Sequence, residues 1–330
     1  MKVLGAAGVV ACAVLLLATP AAAAGGKKPS CNIASPTGEL NIALFDQGVQ
    51  RPYTLFVPDR YKRKKAIPLI VNLHPSGGSG ATELATADFE EVANRRGYAV
   101  AAPNGAVSQD GGYYWNVPGV PLVSGQPIPP GTPNDESYLL KVIRQSKKTV
   151  CIDPRRVYFA GYSGGARMAS QMACDHATSM AAFSPVVGLR AGVPVETSPD
   201  VWEPDASTCK PKQPVSVLAF HGTDDTVNPY FGNDDPRWGY GVEQAIGAWG
   251  RYNRCKRGPE TLTVSPTTDL IGFTKCKDSA DVGLYRSTGG AHAWPGYPGS
   301  GTGAADTSIN ATELMFDFFA NHRLPAKKRG

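Results

Sequence analysis

Residues 156–169 read RVYFAGYSGGARMA, and the turn at their centre, Gly161-Tyr162-Ser163-Gly164-Gly165, decides how the rest of the chain is read. Val157 to Ala160 is the short apolar run of a buried strand. Gly164 to His176 carries a helical pattern. A serine on the turn between the two, with glycines two before and two after, is the context in which G-x-S-x-G becomes a nucleophile elbow. The N–H of Gly164, at the helix N-terminus, is then placed to stabilise a negative oxygen. Five residues of this kind also occur in ordinary glycine-rich turns. A base, an acid and a second oxyanion donor must therefore come from other strand ends.

Working outward, strand and helix patterns alternate. Strands are expected at Arg51 to Pro58, Ile67 to Leu73, Tyr98 to Ala102, Ala181 to Val187, Val215 to Phe220 and Val282 to Arg286. The second is almost continuously apolar, as a strand buried on both faces should be. Helices are expected at Leu84 to Arg96, closed by Gly97, and at Ser137 to Thr149, Val242 to Asn253 and Thr312 to Asn321. Asn310 and Glu313 are spaced as a capping box for the last of these. The alternation predicts one α/β domain with a mainly parallel, doubly wound sheet flanked by helices. Ser108 to Asn134 is a long loop rich in Gly, Pro and aromatics, and a loop of that length in a compact domain is usually functional.

The chain has five histidines. With the order nucleophile, acid, base that goes with a nucleophile elbow, only His292 and His322 follow Ser163 and the acid. His322 ends the terminal helix, where a cation opposes the helix dipole. His292, in Gly289-Gly290-Ala291-His292-Ala293-Trp294, follows a strand and is the expected base. Val215 to Phe220 runs into His221-Gly222-Thr223-Asp224-Asp225. Asp225 is the expected acid and Asp224 the alternative, while His221 precedes both and fits a supporting role. Ile67 to Leu73 runs into His74-Pro75-Ser76-Gly77-Gly78. Pro75 has no N–H, so the backbone N–H of Ser76 is the second oxyanion candidate beside Gly164. Trp115, Trp294 and Tyr162 are candidates for contact with substrate, and packing of these aromatics onto the body is the competing reading.

Composition excludes several classes. Of 330 residues 42% are hydrophobic, enough for a full core, and 37 Gly with 28 Pro argue against a helical bundle. A net charge of +5 is too weak and scattered for a nucleic-acid surface. The run Arg60-Tyr61-Lys62-Arg63-Lys64-Lys65 reads as a solvated turn. Lys2, the apolar stretch Val9 to Leu17 and the small residues Ala21 to Ala24 form a secretory leader, residues 1–24. Residues 25–330 are the expected mature domain, secreted, soluble and monomeric. A lipoprotein reading through Cys12 is weaker, because the apolar run continues past it. The other six cysteines, Cys31, Cys151, Cys174, Cys209, Cys255 and Cys276, suit disulfides in an oxidising compartment. Cys255 with Cys276 is the one pairing to expect, since both flank a short strand-like excursion. Without C-x-x-C or clustered histidines, no metal site is expected. Asn310-Ala311-Thr312 is a glycosylation sequon.

Four segments, LIVNLHPSGGSG, RVYFAGYSGGARMASQMAC, VLAFHGTDDTVNPY and STGGAHAWPG, occur in this order between Tyr53 and Pro295. Together they resemble the secreted polyhydroxybutyrate depolymerase and feruloyl/acetylxylan esterase family of α/β-hydrolases. Pro75 departs from that pattern, where glycine usually follows the histidine. The resemblance implies Ser163 as nucleophile, Asp225 as acid, His292 as base, esterase activity through an acyl-enzyme, and secretion, with no metal or organic cofactor. It implies an ester-bearing polymer or oligomer as substrate, with no nucleic-acid or membrane partner. Feruloyl or acetyl groups on plant-wall polysaccharide are favoured by the tryptophans, the long loop and the absence of a linker and binding module. A polyhydroxyalkanoate is the alternative substrate. A serine peptidase and a non-catalytic binding protein of the same fold are the readings from other classes.

Overall fold

The computed structural model describes residues 31–235 and 237–325, so the expected leader lies outside the described residues. Ten strands build one sheet: β1 (Gly38–Ile42), β2 (Tyr53–Val57), β3 (Ile67–Leu73), β4 (Ala99–Pro103), β5 (Ile152–Tyr162), β6 (Ala182–Val186), β7 (Ser216–Gly222), β8 (Arg257–Thr263), β9 (Thr268–Thr274) and β10 (Val282–Ser287). Their order across the sheet is β1-β2-β4-β3-β5-β6-β7-β10-β9-β8. The centre, from β4 to β10, pairs in parallel throughout. That parallel centre is the expected mainly parallel sheet, and antiparallel strands extend its margins: β1 and β2 on one side, β9 and β8 on the other. β2 lies within the expected Arg51 to Pro58, whereas β1 and β8 escaped a reading based on apolar runs for a physical reason. Every residue of β8 is exposed and β1 is only half-buried, so neither needs the continuous apolar pattern of a central strand.

Helices cover both faces. On one, Leu139, Val142 and Ile143 of α3 (Asp135–Thr149), Met168 and Met172 of α4 (Gly164–Asp175), and Ile246 and Trp249 of α5 (Val242–Tyr252) pack against Leu69, Val71, Val157 and Phe159. On the other, Leu84, Phe89 and Val92 meet Met315, Phe316 and Phe319 of the terminal helix (Ala311–Asn321) over Ile70, Tyr158, Ala160 and Tyr162. Alternate residues of β5 thus serve opposite faces, as the period of two requires. The helix expected at Leu84 to Arg96 is two, α1 (Gly80–Ala85) and α2 (Phe89–Arg96), separated where Ala87 and Asp88 turn left-handed at φ 55° and 53°. Gly97 ends the second, at φ 75°. Asn310 caps the terminal helix, its side chain accepting from the Glu313 N–H.

The six cysteines pair as Cys31–Cys151, Cys174–Cys209 and Cys255–Cys276. The last ties the end of α5 to the turn leaving β9, as its flanking position suggested. Because the six central strands run in parallel, the loops after β3, β5, β7 and β10 all emerge at one edge of the sheet. Among the described residues no helix is long and apolar enough to cross a membrane.

Candidate active site

Ser163 sits between β5 and α4 with φ 51° and ψ −110°, a backbone conformation that costs a side-chain-bearing residue on the order of 1–3 kcal/mol. The surroundings enforce it. The Ser163 N–H donates to the Val186 carbonyl at 2.9 Å, and the Ser163 carbonyl accepts from the Arg167 N–H at 3.1 Å. A Cβ on Gly165 would collide with the carbonyls of Leu73 and His74 on the neighbouring strand end. Glycine there lets α4 start hard against β3, and the serine is left at the apex of the turn.

After β7, Asp225 is 4% exposed and its carboxylate is fully engaged. One oxygen accepts the backbone N–H groups of Val227 and Asn228 at 2.9 and 2.7 Å. The other accepts His292 Nδ1–H at 2.8 Å, with His221 Nε2 at 3.2 Å. Burial alone would push this carboxyl up. The hydrogen bonds from His221 and His292 outweigh it and hold Asp225 well below the usual carboxylate range. His221 Nε2 also faces the Asn228 carbonyl at 2.9 Å. With acceptors on both sides, that nitrogen carries the proton. The Asp224 carboxylate is exposed, and among the described residues it accepts only the Thr223 hydroxyl, at 3.0 Å.

His292 Nδ1 is committed to Asp225, which leaves Nε2 as the free, basic nitrogen. The loop carrying it is pinned by its own backbone. The His292 carbonyl accepts the Tyr162 hydroxyl and the Thr302 N–H, each at 2.9 Å. The Tyr162 ring stacks on the imidazole at 5.4 Å. Burial raises the Tyr162 hydroxyl above its ordinary range, so it stays a donor. Ser163 Oγ makes no hydrogen bond to His292 in this structure, and such serine–imidazole bonds are often long before substrate binds.

The loop after β3 brings Ser76 to Gly164: a Cβ built on Gly164 would lie 2.9 Å from Ser76 N. His74, fully buried, accepts the Gly105 N–H at Nε2 (3.0 Å) and donates from Nδ1 to the Pro75 carbonyl (2.7 Å). Burial pulls its pKa down to about 4. Trp115 stacks on His74 at 4.7 Å and donates to its carbonyl at 2.8 Å. The long loop is therefore a prop: its short hairpin (Val107–Gln109 with Gly112–Tyr114) is bonded to Gly77 and Gly78. Its far end is held by Asp135, which pairs with Arg51 and accepts the N–H groups of Asn116 and Ala106.

Of the three aromatic candidates, Trp115 lines a narrow cleft with Ser76, Val117, Gly164 and Arg167. Tyr162 supports the His292 loop. Trp294 is a correction: it is fully buried among Phe89 and Tyr162, with its N–H donated to Thr312 Oγ1 at 3.0 Å, and cannot meet a substrate. Its indole is held inward by the aromatic contacts to Phe89 and Tyr162, while Thr312 satisfies its N–H. His322 is likewise structural, bonded to Asp281 at 3.0 Å.

No family model matches the chain. Over 242 residues, 72% of its length, it is 29% identical to feruloyl esterase B of Piromyces equi. Over 191 residues, 58% of its length, it is 25% identical to the bifunctional acetylxylan esterase/xylanase XynS20E of Neocallimastix patriciarum. These matches span 41% and 24% of the two relatives, so the chain covers less than half of either. Acetyl xylan esterase from Aspergillus awamori superposes with a TM-score of 0.58 at 15% identity, covering 86% of this chain and 99% of that one.

The fold is the α/β-hydrolase fold. Within this hydrolase framework two residues went unremarked in the sequence. Asn228 supplies both an N–H to Asp225 and a carbonyl to His221. Arg167 lies buried one helical turn after Ser163. The four-residue spacing was available as a signal, since it places Arg167 beneath the serine on the same helix face. Nothing local marks Asn228, whose partners come from the folding of its own turn.

Proposed function

We propose that the chain is a serine carboxylic-ester hydrolase acting through an acyl-enzyme. The observation that carries this is the buried Asp225–His292 pair at the same sheet edge as the strained Ser163. His292 Nε2 takes the Ser163 proton as Oγ bonds to the ester carbonyl carbon. The resulting oxyanion is held by the N–H groups of Gly164 and Ser76. His292 then protonates the leaving alcohol, the C–O bond breaks, and water repeats the sequence to free the acid. Asp225 fixes the imidazole tautomer and balances its cation, and His221 shares that carboxylate.

The substrate proposed is a feruloyl or acetyl ester of plant-wall polysaccharide, in keeping with the names of the sequence relatives. Secretion accords with the leader-like start and with three disulfides. Hydrolysis of p-nitrophenyl acetate by the wild type and by Ser163→Ala tests the chemistry. Turnover should fall by about 10⁴-fold or more on the mutation, and equal turnover in both would refute the serine mechanism. Release of ferulate, acetate or 3-hydroxybutyrate from natural polymers tests the substrate. Release of 3-hydroxybutyrate alone would replace the polysaccharide reading with the polyester one.

A further inference from the structure

We propose that Arg167 is a positioning residue of the oxyanion site, holding Ser76 against Gly164 and presenting an unneutralised charge to the oxyanion that forms there. The proposal rests on the serine-esterase reading above and goes beyond it by adding a residue outside the triad.

Four observations lead to it. Arg167 is 5% exposed. Its Nη2 donates to Ser76 Oγ at 3.2 Å. Its guanidinium lies over the Trp238 ring at 4.5 Å, which fixes the plane of the group. Among the described residues no carboxylate pairs with it, and its Nε has no acceptor. The neighbouring cations offer no relief. Arg237 is paired with Asp235, and Arg190 donates to the carbonyls of Arg237 and Gly192. Burial, together with those two cations, destabilises the charged form of Arg167.

A buried cation without a counter-charge is unfavourable in the resting protein unless the working cycle supplies the anion. Acyl transfer supplies one at this spot. A Cβ built on Gly164 would lie 2.9 Å from Ser76 N and 3.4 Å from Arg167 Nη2, with Ser76 Oγ nearer still, so the Ser76 hydroxyl, its N–H and the guanidinium all border Gly164. The carbonyl oxygen becomes negative only in the tetrahedral intermediate, so a charge fixed in advance favours that state over the bound ester. Pro75 sharpens the requirement. With no N–H at that position, the site relies on Ser76 as donor from this loop, and Arg167 bonds directly to the Ser76 side chain.

The test is a double-mutant cycle with Arg167→Met, Arg167→Lys, Ser76→Ala and the combined variants, assayed on neutral p-nitrophenyl acetate. Phenylboronic acid is the second probe, because its tetrahedral anionic adduct on Ser163 imitates the intermediate. Arg167→Met should lower kcat by about 10- to 100-fold, at or below the loss of a single oxyanion donor, with KM changed by less than about threefold. The phenylboronic acid Ki should rise by the same factor as kcat/KM falls. Arg167→Lys should restore part of the loss, and Ser76→Ala should add little once Arg167 is replaced. Should Arg167→Met fail to fold, Arg167→Lys with Ser76→Ala completes the same cycle. An unchanged kcat, strict additivity with Ser76→Ala, or a KM defect confined to esters bearing a carboxylate would overturn the proposal, the last by making Arg167 a substrate-anion site. Turnover retained by Ser163→Ala would instead defeat the esterase reading itself, so the two failures are separable.

Discussion

At the scale of single residues, the two adjacent aspartates after β7 show how position outranks identity. Asp224 and Asp225 are the same side chain one residue apart, yet only Asp225 turns inward to two histidines and two backbone N–H groups. Asp225→Asn keeps the shape but loses the acceptor that fixes the His292 tautomer. It should lower kcat by about 10³- to 10⁴-fold with little change in KM. Asp224→Asn should leave kcat near the wild-type value. Steady-state kinetics on p-nitrophenyl acetate decide, and the reverse ranking would move the acid to Asp224. The sequence reading favours Asp225 and keeps Asp224 as the alternative, because both lie in one loop after a strand. Which of two neighbours faces the imidazole depends on the turn closed by Asn228, whose contacts exist only after folding.

At the scale of elements, the β5–α4 elbow explains why the quoted motif was legible. Its glycines answer to a packing fact that sequence can encode locally: α4 must begin in contact with β3, and a side chain at Gly165 would strike two carbonyls. Backbone cannot yield as a rotamer does. Gly165→Ala should therefore destabilise the fold by about 1–3 kcal/mol, the usual cost of overpacking, and displace Ser163. Calorimetry showing a lowered Tm together with lost activity is the expected result, whereas an unshifted Tm would mean the elbow tolerates a wider gap. The margin behaves differently. Exposed β8 and half-buried β1 join the sheet through backbone hydrogen bonds, which carry no side-chain signature, so they were not readable. Cys255–Cys276 anchors that margin. Replacing both with serine should cost about 3 kcal/mol while sparing kcat at low temperature, because His292 is held by Tyr162 and Asp225 rather than by β8. A fall in kcat equal to that of a triad variant would contradict this.

At the scale of the whole molecule, the alternation of strands and helices announced the layered architecture, because each central strand is buried on two faces and is apolar for that reason. What the pattern could not announce is the polar interior beneath the edge that carries Ser163, Asp225 and His292, and this interior makes stability depend on pH in two opposed directions. Buried His74 has its pKa lowered from 6.5 to about 4. The unfolded chain binds that proton first as pH falls, so stability from this group is complete above about pH 6.5 and is lost as pH drops toward 4. The loss amounts to about 3 kcal/mol. Glu83, 1% exposed and with one carboxylate oxygen unpartnered, is raised well above its ordinary 4.5 by burial. Here the folded state holds the proton that the unfolded chain releases, so stability is complete below about pH 4.5 and declines as pH rises toward the raised value. Glu83→Gln keeps the neutral shape of the acid and removes the titration. In urea unfolding between pH 5 and 8, the variant should gain stability relative to wild type as pH rises, and the wild type should show the weaker alkaline limb. Parallel curves for the two proteins across that range would mean that Glu83 is ionised in the fold, and that its charge is compensated by a partner drawn in from solvent.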